Sequence, residues 1–340
     1  MTAESSLPAA TDTGSLGVFQ LKRLWARRLA ERAGGPPGDL AERRLNALVT
    51  DALGVGREQV APYLMQRVPD FEEFERWIVA TAGPVSAEQV ARINAAIVGA
   101  PPPPATQRRL AAIDAMEPVL SAADLAHWDE HGYVILHDAV PEETRAAAER
   151  AIWERLGARP DEPDSWYVQP GIMVQFFQHL AFAANRAAPR IHKAFAQLWG
   201  TADLWPTTDR VGFNVPERPG WLFQGPDLHW DVSLAPPMPF GTQGILYLTD
   251  TPGEQGAFTA VPGFHRRLDA WLAGLPPGAD PRCQDLHALG SRPIAGRAGD
   301  LVIWHQALPH GSRPNRGARP RIVQYINYSS AAYRDPPVWR

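Results

Sequence analysis

The spacing of apolar residues changes period along the chain, and the change separates a helical part from a part rich in short strands. Over residues 16–33, Val18, Leu21, Trp25 and Leu29 recur at helical intervals among arginines, which predicts an amphipathic helix. Residues 39–53 read the same way. Ser86-Ala87-Glu88-Gln89 begins a capping box. Val90, Ile93 and Ile97 then mark one helical stripe that stops at Pro101-Pro102-Pro103-Pro104, a run that must be extended or a linker. Beyond it the period shortens. Residues 132–137 predict a strand, and Val140-Pro141-Glu142-Glu143 opens a helix that runs to Glu154 or Gly157. Residues 242–250 predict a strand closed by Pro252-Gly253. An apolar run after the Gly299-Asp300 turn predicts a strand carrying His310 at its far end, and 321–328 predicts another. Between Leu268 and Pro293 lies a long insert with a short helix, a candidate lid.

This pattern predicts a helical N-terminal region over 1–120 and a catalytic domain over 121–340. The helices either pack on the catalytic core and shape substrate access, or bind a carrier protein or a second subunit. Lys22, Arg23, Arg27 and Arg28 suggest a membrane-surface helix, which Glu31 and later acids weaken. The 34 prolines and 28 glycines have no period, which fits a loop-rich β fold rather than a repeat. A net charge of −4, from 33 basic and 37 acidic residues, gives no reason to expect nucleic acid. The single cysteine, Cys283, excludes an intrachain disulfide framework and a thiolate metal cluster. Met1–Ser6 lack the basic start of a signal peptide, and no apolar run is long enough to span a membrane, so a cytoplasmic enzyme is the economical expectation. Gly-x-Ser-x-Gly, His-Glu-x-x-His and phosphate-loop signatures are absent.

Candidate chemistry begins at His229-Trp230-Asp231. Two residues apart on a strand, His229 and Asp231 point to one side and can hold one metal ion. A second histidine comes from the C-terminal segment: His310, with His305 and His265 as alternatives that composition does not separate. Two imidazoles and a carboxylate on one face of an ion are the ligand set of non-haem iron(II) oxygenases. Arg321, opening the next strand, is placed to clamp a carboxylate through two parallel hydrogen bonds, whereas Arg313, Arg316 and Arg319 read as solvated.

In order and spacing, Glu130–Leu136, His229-Trp230-Asp231, Gly256–Arg266, Gly299–His305, His310-Gly311-Ser312, and Asn315 with Arg321 resemble the phytanoyl-CoA dioxygenase family. The resemblance implies a mainly β fold with flanking helices, a double-stranded β-helix or jelly roll. It implies dependence on iron(II) and 2-oxoglutarate with O2 as cosubstrate, and release of succinate and CO2. It makes His229, Asp231 and His310 the metal ligands, and Arg321 the partner of the distal carboxylate of 2-oxoglutarate, with Arg319 as the fallback. Asn315 is grouped with the cosubstrate; Gln224 meets cosubstrate or substrate, or is a turn residue. Phe264 stands where the family has a small residue. Related halogenating enzymes have a small residue in place of the carboxylate, so Asp231 favours hydroxylation or another oxidation. The substrate expected is a small molecule or secondary-metabolite intermediate, free or linked to a carrier or CoA. Tyr167, Met173, Phe176, Phe177, Trp221, Phe223 and Trp230 pack the core or line its pocket, and Arg266 and Arg267 are exposed or attract an anion. Oligomeric state is left open. Two rivals remain: a non-redox metal-dependent isomerase or hydrolase, which has no need of Arg321, and a binding protein with a residual metal site.

Overall fold

Short polar residues begin several helices of the N-terminal part. The carboxylate of Asp39 accepts a hydrogen bond from the Glu42 N–H (2.7 Å) and starts α2, Asp70 does the same for Glu73 (2.7 Å) at α4, and the Ser86 hydroxyl accepts from Gln89 (3.2 Å) at α5. The helices are α1 (Leu21–Arg32), α2 (Leu40–Ala52), α3 (Arg57–Arg67), α4 (Phe71–Ala82), α5 (Ala87–Ile97) and α6 (Pro104–Asp114). The proline run is not only a linker, since Pro104 is the first residue of α6, where a missing N–H costs nothing. This computed structural model describes residues 7–334, 336 and 338–340; Met1–Ser6, on which the signal-peptide expectation rested, lie outside the described residues.

Two compact units emerge. Unit 1 comprises Met1–Met116, Gly200–Asp209 and Ser329–Asp335; unit 2 comprises Glu117–Trp199, Arg210–Tyr328 and Pro336–Arg340. Within unit 1, Val18, Leu21, Leu24, Val49, Phe74, Ile78 and Ile93 share one core with Trp205, over whose ring the Arg92 guanidinium lies at 3.8 Å. On α1 the buried stripe is Leu21 and Leu24, while Trp25 and Leu29 are only partly covered. Buried Arg27 is held by Glu42 at 2.8 Å, so its charge is paired.

Unit 2 carries α7 (Ala122–His131), α8 (Glu142–Leu156), α9 (Leu180–Arg186), α10 (Pro189–Trp199) and α11 (Leu268–Gly274) around its strands. Six strands form an antiparallel sheet in the order β1 (Tyr133–Leu136), β8 (Leu301–His305), β5 (Thr242–Tyr247), β10 (Arg321–Tyr325), β4 (Val211–Asn214), β2 (Met173–Val174). A smaller sheet of unit 2 runs β7 (Arg292–Pro293), β6 (Thr259–Ala260), β9 (His310–Gly311). Strand β3 (Leu204–Pro206), which belongs to unit 1, pairs with β11 (Tyr328–Ser330), most of which also lies in unit 1. Central β5, β8 and β10 are apolar and almost wholly buried, as expected of strands covered on both sides.

This corrects the expected mainly β jelly roll. The fold is mixed and mainly helical, 40% helix against 14% strand, and its sheets are open and do not close into a barrel. Two physical causes stand out. Helices α3, α4, α6, α7, α9 and α10 add to those that periodicity revealed. In addition, Pro216, Pro219, Pro226, Pro236, Pro237 and Pro239 interrupt the stretch between β4 and β5, where each removes a ladder donor, so this stretch meets its neighbours through isolated bridges. The expected single strand ending at His310 is likewise two: β8 stops at His305, and a turn delivers His310 to β9 in the other sheet.

The insert is anchored. Leu268, Leu272, Leu286 and Ile294 are buried in the same core as Trp230 and Trp304, and fully buried Phe264 packs on Trp271 (5.4 Å between rings) and Trp230 (6.0 Å). The large residue at position 264 thus fills the core beneath the insert.

Candidate metal centre

The backbones of His229 and His310 exchange both hydrogen bonds, His229 N–H to His310 O at 2.8 Å and the reverse at 3.0 Å, which sets the residues opposite each other with rings 4.8 Å apart. Gly311 permits this approach: a Cβ there would lie 2.5 Å from the Asp227 carbonyl oxygen. Asp231 closes the group. Its Oδ1 lies 3.3 Å from His229 Nε2 and its Oδ2 lies 3.2 Å from His310 Nε2, and the ligand atoms of these residues all fall within 4.8 Å of one another.

The histidine tautomers follow from their partners. His229 Nδ1 lies 2.6 Å from the Asp227 carbonyl and His310 Nδ1 lies 3.1 Å from the Leu308 carbonyl. A carbonyl only accepts, so each Nδ1 carries the proton and each Nε2 presents a lone pair toward Asp231. Two nitrogen lone pairs and a carboxylate at hydrogen-bond range repel unless a cation or a proton lies among them. When protons rather than a metal ion lie there, burial pushes Asp231 up, but hydrogen bonds and positive charge from protonated His229 and His310 outweigh burial and hold it well below the usual carboxylate range. The donor set, two neutral nitrogens and one anionic oxygen, fits divalent iron.

Around this group the chain supplies further support. Gln243 Nε2 donates to Asp231 Oδ2 at 2.6 Å, and Trp304 Nε1 donates to Gln243 Oε1 at 3.1 Å. From the insert, Arg282 donates to the carbonyls on either side of Asp231, Trp230 O (2.7 Å) and Val232 O (2.6 Å), and to Arg340 O (3.0 Å). His287, also in the insert, meets the Asp227 carboxylate at 2.7 Å.

Arg321 is fully buried at the start of β10. Its Nη1 donates to the Ser312 hydroxyl at 3.1 Å, while Nε and Nη2 meet no acceptor among the described residues. A guanidinium buried with a single neutral partner is costly, and an anion satisfies it best. Nearby, burial pushes the Tyr247 hydroxyl up to about 12 even though the Arg321 charge pulls it down. Arg319 is exposed.

The other candidates divide. Asn315 is fully buried and its amide holds loop backbone, donating to Asn214 O and Arg319 O (both 2.8 Å) and accepting from Gly317 N–H (2.9 Å). Exposed Gln224 lines a crevice with Trp166, Asn214, Trp221 and Phe223. Trp230 and Phe177 are core residues, and Arg266 and Arg267 are exposed. His305 and His265 face each other, 5.4 Å between rings, beside Trp128 and Phe240 rather than with the ligand group.

Burial pushes His305 down to about 4, helped by His265, whose own burial also lowers it. The unfolded chain takes up this proton near the ordinary histidine value, roughly 6.5. Between those values the unfolded state therefore binds more protons, and stability falls as pH drops through the window. Thermal melts from pH 6.5 to 4 are expected to show a shallower decline in His305→Asn than in the parent chain; parallel declines would remove His305 from the acid response.

With the geometry set, comparison with known proteins is decisive. The sequence profile described as Phytanoyl-CoA dioxygenase (PhyH) matches residues 128–323, more than half of the chain. This chain belongs to the phytanoyl-CoA dioxygenase family. It is thereby a member of the iron(II)- and 2-oxoglutarate-dependent oxygenase superfamily, with a two-histidine, one-carboxylate group of the kind those enzymes use. Among curated proteins, a Dictyostelium discoideum protein provisionally named as a phytanoyl-CoA dioxygenase is 25% identical over 184 residues, covering 43% of this chain and 52% of that protein. The chain thus spans about half the length of the curated relative it matches. Among solved structures, apo EctD from S. alaskensis is 20% identical with a TM-score of 0.47, covering 66% of this chain and 87% of EctD. HygX from Streptomyces hygroscopicus, with nickel and 2-oxoglutarate bound, is 16% identical with a TM-score of 0.44, covering 66% and 91%. Among the described residues of this family member, no helix is long and apolar enough to cross a membrane.

Sequence reasoning missed Gln243, Arg282, Asp227 and His287. Gln243 carried a faint signal, a polar residue inside the apolar run of β5. The others carried none, because their partners are backbone carbonyls or lie far along the chain.

Proposed function

We propose that this chain oxidises a small molecule, most simply by hydroxylation, using iron(II), 2-oxoglutarate and O2, and releasing succinate and CO2. The observation that carries the reading is Arg321, a fully buried guanidinium with two nitrogens unmatched, on the strand that follows the His310 segment. A non-redox isomerase or hydrolase has no use for such a group.

In this reading His229 Nε2, Asp231 and His310 Nε2 hold the ion on one face. The Asp227 and Leu308 carbonyls keep the protons on Nδ1, so both Nε2 atoms stay available as ligands. Arg321 and Ser312 grip the distal carboxylate of 2-oxoglutarate. Bound together, iron and 2-oxoglutarate supply the oxidising power, and the protein supplies orientation and a dry pocket. The crevice at Trp221, Phe223 and Gln224 is where substrate, free or linked to a carrier or CoA, meets the site; its mixed apolar and amide lining suits a small organic molecule.

Anaerobic addition of iron(II) and 2-oxoglutarate is expected to give a weak visible charge-transfer band near roughly 500 nm that shifts when a substrate binds. Bound iron without that band would support the non-redox alternative.

A further inference from the structure

Gln243 and Trp304 stand directly opposite each other in the β5–β8 register, so their side chains share one face of the sheet. An indole N–H only donates, so the amide oxygen of Gln243 must face Trp304 and its NH2 must face Asp231. The relay from Trp304 through Gln243 to Asp231 Oδ2 therefore has one sense. It is also well held: Trp304 is buried, stacks near Phe258 (4.3 Å) and lies 5.1 Å from the His310 ring.

The two carboxylate oxygens of Asp231 consequently differ. Each oxygen faces one histidine, Oδ1 at 3.3 Å from His229 Nε2 and Oδ2 at 3.2 Å from His310 Nε2, but Oδ2 alone also takes a short, charge-assisted hydrogen bond from Gln243 among the described contacts. Arg282 fixes the peptide groups on both sides of Asp231, and the Gln243 hydrogen bond is the contact that holds one carboxylate oxygen in place.

We infer that Gln243 is a positioning residue that makes Asp231 a one-oxygen ligand, keeping Oδ2 off the metal. This rests on the function proposed above. A 2-oxo acid that chelates the ion would need open positions on it, and a second carboxylate oxygen from Asp231 would take one of them. Gln243 thus governs how much of the ion stays open rather than whether it binds.

The test uses the full chain with Co(II), whose visible spectrum reports coordination, and 2-oxoglutarate as the added ligand without oxygen. Gln243→Leu is expected to bind Co(II) within about threefold of the parent chain, to shift the visible Co(II) bands, and to weaken 2-oxoglutarate binding by about tenfold or more. Trp304→Phe, which keeps a ring and loses only the indole donor, is expected to shift both readouts in the same direction by less. Melting curves establish that both variants fold. A parent-like spectrum and cosubstrate affinity in folded Gln243→Leu would overturn the inference alone, as would loss of Co(II) as severe as in Asp231→Ala. Failure of the parent chain itself to bind Co(II) would overturn the metal-site reading, and this inference with it.

Discussion

Asp231→Ala is expected to abolish oxidative turnover and leave the chain folded. The side chain is half exposed, so removing it opens no cavity in the core cluster around Trp230 and Trp304. On the proposed function its loss would leave His229 and His310 as the remaining ligands and delete the anion that balances the metal charge. It also leaves the Gln243 NH2 without its acceptor. The stability cost at such a partly exposed position is about 1 kcal/mol or less, since no buried apolar contact is lost. Succinate formation and oxygen consumption measure the first effect, and a melting curve the second. Full turnover by a folded variant would sink the metal assignment.

Arg321→Met is expected to act in opposite directions on binding and on stability. Methionine approximates the stem of arginine without the charge, so the variant loses the carboxylate clamp. The 2-oxoglutarate requirement should rise at least tenfold, equivalent to about 1.4 kcal/mol. In the absence of cosubstrate the same change removes a buried guanidinium that, among the described residues, the Ser312 hydroxyl alone satisfies, and replacing such a charge by a well-packed apolar group is often neutral or stabilising. The melting temperature of the ligand-free variant should therefore equal or exceed that of the parent. Adding 2-oxoglutarate should stabilise the parent and not the variant. A normal cosubstrate titration in Arg321→Met would move the anchor elsewhere, with exposed Arg319 next in line.

That Arg321 could be singled out from the chain as the proposed anchor, while Gln243 and Arg282 could not be singled out at all, follows from the kind of signal each carries. His229, Asp231, His310 and Arg321 combine residue types that iron and a dicarboxylate require with spacings set by strand geometry. Those features are local, and they survive the absence of a closed barrel. Gln243 matters because Trp304 lies opposite it, a pairing made by register across some sixty residues of chain. Arg282 matters because it reaches two carbonyls, which every residue possesses. The barrel expectation failed at a different level. Motif order identified the strands that bear the chemistry but not the prolines that keep residues between β4 and β5 out of a continuous ladder, nor the helices whose stripes are short.

The anchored insert has a consequence for engineering substrate range. Loop exchange ordinarily treats a long segment between two strands as a replaceable cassette. Here the segment containing α11 supplies Arg282 to the peptide groups around Asp231 and His287 to Asp227, so a graft spanning 280–291 would carry away supports of the ligand strand along with any specificity it altered. Libraries are better aimed at 221–224, where Leu222 and Gln224 are exposed and Trp221 and Phe223 line the crevice, so that diversity falls on the proposed substrate crevice and leaves the His229, Asp231 and His310 group untouched.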